Sequence, residues 1–113
     1  MDEHDLREVE VGIKKFKEQV VTGEALSRLM KNKDFKKVIL GFFLADKVDE
    51  LIKQKCTHGL QHPDEQAYIE KGLIAAGYLA QFMEEVKLMA ENAKVSIERY
   101  EETQDEILNG EVE

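Results

Sequence analysis

The sequence predicts an all-α protein, and three observations carry that prediction. The chain is rich in Glu, Lys, Leu and Ala-type helix formers, with 35% charged residues and one proline in 113. It lacks the Val/Thr/aromatic runs that strands need. Leu6, Val9, Ile13, Phe16 and Val20 recur at intervals of 3, 4, 3 and 4, a helical seam. From Pro63 to about Gln104 nothing interrupts a helix except Gly72 and Gly77. The expected architecture is one domain: a small helical head, residues 22–62, on an antiparallel hairpin or coiled-coil stalk. The stalk pairs an N-terminal helix, residues 1–21, with a long C-terminal helix, residues 63–105. An acidic tail, residues 106–113, is expected to fray.

Each element has a local justification. The first seam runs out near VVTG, where Thr22 is placed to cap a second helix, GEALSRLMK, with Glu24 in its acid-favouring first turn. Asn32 and Asp34 then supply a break and a new cap. The third stretch holds Phe35, Val38, Ile39, Phe42, Phe43 and Leu44, the most apolar part of the chain. Gly41 within it predicts a bend or a close helix contact, because glycine there costs about 1 kcal/mol against alanine. Val48, Leu51 and Ile52 continue the buried face.

Pro63 suits the first position of the last helix, where its missing N–H would have no partner anyway. One heptad series of that helix is Ile69, Ala76, Met83, Ala90 and Ile97, and the other is Gly72, Leu79, Val86, Ala93 and Tyr100. Tyr68, Ala75, Phe82 and Met89 widen the stripe, which predicts a first half packed into a globular core and a second half with a narrower seam. If helix one is too short to cover that seam, Val86, Met89, Ala93, Ile97 and Tyr100 are the expected interface.

Charge is unevenly spread. The net charge is −8, yet residues 22–62 carry five acids and eight bases, whereas residues 63–113 carry thirteen acids and four bases. A chain this acidic repels nucleic acid and anionic membrane as a whole. Arg28, Lys31, Lys33, Lys36 and Lys37 form the one candidate basic patch, with a solvated helix face as the simpler reading. No apolar run approaches the roughly 20 residues of a membrane span. The acidic start, MDEHDLREVE, resembles neither a secretory signal nor a transit peptide. A single cysteine excludes an internal disulfide and suits a reducing cytosol.

The stretch KCTHGLQHPDEQ, residues 55–66, gathers Cys56, His58 and His62 ahead of Asp64 and Glu65. Structural zinc wants four ligands, and no second Cys/His couple exists; His4 lies in the terminus. A nucleophilic cysteine needs a base and a group to orient it, and no third member suggests itself. The stretch reads instead as a corner, with Gly59 ending one helix, Leu60 plugging the turn and His62-Pro63 starting the next. There is no Glu-x-x-His pair, phosphate loop or GxSxG elbow. The expectation is no enzyme, no cofactor and no metal.

Gly23-Glu24-Ala25-Leu26, Leu29, Asn32, Asp34-Phe35, Val38-Ile39, Gly41-Phe42 and Leu44 form a pattern, continued by Gln61, Pro63 and Gln66, then Ile74, Gly77-Tyr78-Leu79 and Gln81-Phe82. This resembles a family of small helical proteins encoded by tailed bacteriophages, over about Thr22 to Met83. The chain departs where that family often has an Ile-Gly pair, with Ile74-Ala75-Ala76-Gly77 spread out. The resemblance implies a phage context, often among virion-assembly genes, and carries over no catalytic residue. The expected role is a non-enzymatic interaction protein in virion or head assembly, a homo-oligomer docking on phage structural proteins. Its expected place is the host bacterial cytoplasm, with the virion as a further location. The alternative is an inhibitor of a host enzyme whose row Glu84, Glu85, Glu91, Glu98, Glu101, Glu102, Asp105 and Glu106 imitates a nucleic-acid backbone.

Overall fold

The computed structural model describes residues 3–110, and among them there is helix and turn but no strand. Helix α1 spans Glu3–Lys31, a short α2 Lys33–Phe35, a π-helical segment Lys36–Asp46, α3 Lys47–Lys55, a 3₁₀ turn His58–Leu60 and α4 Pro63–Gly110. The all-α expectation holds, and the long C-terminal helix packs against the N-terminal one. The chain divides into two compact units. Unit one joins Met1–Ser27 to Glu85–Glu113, and unit two is Arg28–Glu84.

Unit one is an antiparallel helix pair. Gly12 lies against the Tyr100 ring and Gly23 against Ala90, so positions rise along α1 as they fall along α4. Phe16 meets Tyr100 edge-on, with ring centroids 5.3 Å apart and planes at 89°, a favoured aromatic geometry. Two features expected from the sequence are corrected here. Thr22 does not begin a second helix: its hydroxyl donates to the Glu18 carbonyl oxygen at 3.1 Å, one turn back, and α1 runs on to Lys31. Nor does Gly23 break the helix. A Cβ on it would collide with the Ala90 Cβ, so the glycine serves close approach of two helices.

The tail is corrected as well. α4 continues to Gly110, and Ile107 is buried beside a hollow it lines with Val9 and Tyr100. Ile107 is simply the next member of the Val86, Ala93, Tyr100 series, so the seam extends two turns further than expected. Residues 111–113 of the predicted tail lie outside the described residues.

The break expected at Asn32 is present within unit two. Asn32 leaves the helical region at φ −67°, ψ 130°, and its side-chain oxygen accepts from the Asp34 and Phe35 amides at 3.0 Å each. That satisfies two of the donors a helix start leaves unpaired. The apolar stretch then winds as an 11-residue π-helix, a form usually confined to a single turn. Gly41 sits inside it, and the nearest atom to an added Cβ would be the segment's own Lys36 carbonyl oxygen, at 3.2 Å. It therefore marks no contact with another helix. Leu51, Ile69, Ala76 and Met83 are the buried side chains described in this unit. Ile52 and Phe42, expected in the core, are exposed.

Candidate functional site

The Cys56–Gln66 stretch is a corner, built differently from the expectation. α3 ends at Lys55 with Cys56 as its cap at φ −94°, and Gly59 has no positive φ, so the left-handed glycine stop is absent. Two glutamine amides close the corner instead. Gln61 Nε2 donates to the Thr57 and Lys55 carbonyl oxygens at 2.7 and 3.0 Å. Gln66 Nε2 reaches back from α4 to the Leu60 and Lys55 carbonyls at 2.8 and 3.3 Å. Lys55 and Leu60 are the last residues of α3 and of the 3₁₀ turn, where helix ends leave carbonyls without partners, and the Thr57 carbonyl also accepts from the Leu60 amide at 3.1 Å.

His62 is occupied at the start of α4. Its Nδ1 accepts from the Asp64 amide at 3.1 Å, and its carbonyl accepts from the Gln66 amide at 3.0 Å. Among the described residues no three His, Cys, Asp or Glu side chains converge as metal ligands. Removing the Gln66 amide, as in Gln66→Ala, is expected to lower stability by about 1–2 kcal/mol in urea unfolding. The glutamines were visible in the sequence only as residues around a proline turn.

The predicted interface seam is mostly closed within unit one. Ala93 is only 1% exposed, and Val86, Met89 and Ile97 are half-buried. Tyr100 keeps some exposure but packs on Gly12 and Phe16. The premise that α1 is too short to cover these residues fails, because α1 reaches Gly23 and beyond. The five basic residues are all exposed. Arg28 and Lys31 lie in the last turn of α1, where cations favour the helix dipole; Lys33, Lys36 and Lys37 follow the Asn32 break.

A different surface stands out in unit two. Tyr68 is 76% exposed, Ile74 70%, Tyr78 67% and Phe82 49%. At about 100° per residue, Ile74, Tyr78 and Phe82 form a single stripe at i, i+4 and i+8, while Tyr68 stands beside Gly72 on the groove side. The stripe lies opposite Gly72 and Ala76, which face the core. Along this part of α4 Ile69, Ala76 and Met83 are buried on one side, while Ile74, Tyr78 and Phe82 stand exposed on the other. A helix apolar on all sides belongs in an interior, yet here one side is covered and the other is not.

The expectation that Tyr68 and Phe82 widen a core stripe is thereby overturned. Tyr68 and Ala75 instead form one wall of an open groove of about 190 Å³, with Phe43, Lys47 and Leu51 opposite. At about 150–250 Å² per large side chain, the four exposed residues leave on the order of 500 Å² of mainly apolar surface uncovered. A patch of that size commonly marks a binding surface.

Comparison with known proteins adds no assignment: no family model, curated protein or solved structure matches the chain. No helix among the described residues is long and apolar enough to cross a membrane.

Proposed function

We propose that this chain is a non-enzymatic interaction protein of a tailed bacteriophage, serving virion or head assembly in the host bacterial cytoplasm. The observation that supports an interaction role is the uncovered apolar face of Ile74, Tyr78 and Phe82 on α4, with Tyr68 exposed on the adjoining groove wall. Aromatic side chains held on a rigid helix lose little entropy on docking, and such residues dominate binding energy at interfaces. The phage context rests on the resemblance over Thr22–Met83. Docking on phage structural proteins and retention in the particle belong to the same reading.

A second reading has one observation in its favour. Unit one carries sixteen acids and seven bases, while unit two carries eight and nine, so the acidity is concentrated where a nucleic-acid mimic would need it. Glu91, Glu98, Glu102 and Asp105 share one arc of α4 by helical spacing, but Lys87 and Lys94 fall in the same arc. Those cations break the row, and assembly is favoured.

The test is rate-zonal sedimentation of lysates from cells infected with the phage that encodes the chain. The protein is expected to travel with heads or their precursors at both low and high salt. If it stays at the top of the gradient throughout infection, the assembly reading fails. Capture of a host DNA-binding enzyme that is released by about 0.5 M salt would replace it with mimicry.

A further inference from the structure

We infer that the exposed α4 face is the contact between two copies of this chain, packed antiparallel about a two-fold axis at Tyr78. This deepens the interaction reading above and rests on it only for its biological setting. A two-fold contact must be self-complementary, residue i meeting residue j of the second copy wherever j meets i, by a half-turn about the axis. On α4 the register of the face is symmetric about residue 78. Ile74 and Phe82 stand four positions to either side, so each Ile74 would lie beside Phe82 of the second copy, with the two Tyr78 rings at the centre.

The flanking charges follow the same symmetry. Lys71 and Glu85, seven positions to either side of Tyr78, are both exposed on this side of α4 and would meet as opposite charges. A parallel pairing would set Lys71 against Lys71 and Glu85 against Glu85. The antiparallel register is the one that pairs unlike charges, and this selects both the orientation and the occupant.

Area points the same way. Ile74, Tyr78 and Phe82 supply on the order of 400 Å² on each copy, as the apolar centre of a contact whose usual size is about 800 Å² per partner. Lys71, Ala75, Gln81 and Glu85 are placed to form the polar and small-residue rim. The unit also has a reason to gain from a second copy. Its described buried side chains are Leu51, Ile69, Ala76 and Met83, a thin core for 57 residues, and small cores are commonly completed by association.

The test is molar mass by light scattering on a sizing column, with the full chain at about 100 µM, well above the Kd of an ordinary standard-size contact. Twice the chain mass of 13.0 kDa is expected, at low salt and at 1 M salt alike. Tyr78→Glu is expected to elute as a monomer with helical circular dichroism unchanged, its self-association weakened about thirtyfold or more. Register is read separately by oxidation. In a Cys56→Ser background, Tyr78→Cys is expected to cross-link two copies, whereas Gly77→Cys, off the stripe, should not.

A monomeric wild-type chain overturns the inference, as does a dimer that survives Tyr78→Glu or cross-links equally from both cysteine positions. A monomer that still sediments with phage heads would sink the two-fold contact and leave the assembly reading standing. A dimer that never enters assemblies would do the reverse.

Discussion

Gly23→Leu is expected to destabilise the protein by about 3 kcal/mol, read as a lower urea midpoint. The reason is the geometry of the helix pair in unit one. A Cβ at position 23 would fall onto the Ala90 Cβ, and a methyl fixed to a helix backbone has no rotamer through which to yield. The two backbones must therefore separate, loosening contacts along the seam. Gly23→Ala sets two effects against each other: about 1 kcal/mol gained in helix propensity and about 1–3 kcal/mol lost to overpacking. The net is expected to be a loss. The exchange Gly23→Ala with Ala90→Gly moves the same methyl to the other helix, and it should restore most of the stability. If Gly23→Leu is neutral, the close approach of α1 and α4 at this point is wrong.

That glycine also shows where sequence reasoning parted from the fold. Spacing and capping residues identified the long α4, its start at Pro63, the first two-thirds of α1 and the Asn32 cap, because period and capping chemistry act locally. A threonine followed by a glycine carries two meanings, however. The same pair that caps a new helix also suits a back-bonded hydroxyl and a tight crossing. Only the position of Ala90, 67 residues on, decides between them. The last turns of α4 were missed for a similar reason: a run of acids looked frayed, while Ile107 kept the heptad going beneath them.

The candidate site was harder to read for a physical reason. Between Tyr68 and Phe82, the heptad series Ile69, Ala76 and Met83 marks the covered side of α4 correctly, but apolar residues on the other sides conceal how narrow that side is. Gly72 and Ala76 share the inward side with Ile69 and Met83, and Gly72 gives room there to Leu51 of α3. Ile74 and Tyr78 were then left outward by the 3.6-residue turn, whatever their hydrophobicity. Had Ile74 and Tyr78 also faced inward, unit two would have a thicker core and no candidate surface. The thin core and the exposed aromatic face are thus two consequences of one choice of helix orientation.

The same orientation makes Leu51 the keystone of unit two. Leu51→Ala is expected to cost about 3 kcal/mol, within the range for emptying a buried leucine site, and to show as a lower thermal midpoint. Leu51 is buried, and its Cδ1 stands 2.8 Å from where a Cβ on Gly72 would lie. The leucine fills the notch that the glycine opens, and truncation leaves a void that rigid helices close only in part. Gly72→Ala by itself is a contrasting case to Gly23→Ala. Its obstacle is the far end of a flexible side chain, so the about 1 kcal/mol propensity gain roughly offsets the adjustment. In the Leu51→Ala background the obstacle is gone, and Gly72→Ala should then recover about 1 kcal/mol of the loss. This coupling separates a specific notch from general loosening of the core. Additive effects of the two substitutions would mean that α3 and α4 do not meet at these residues, and the outward placement of Ile74 and Tyr78 would lose its explanation.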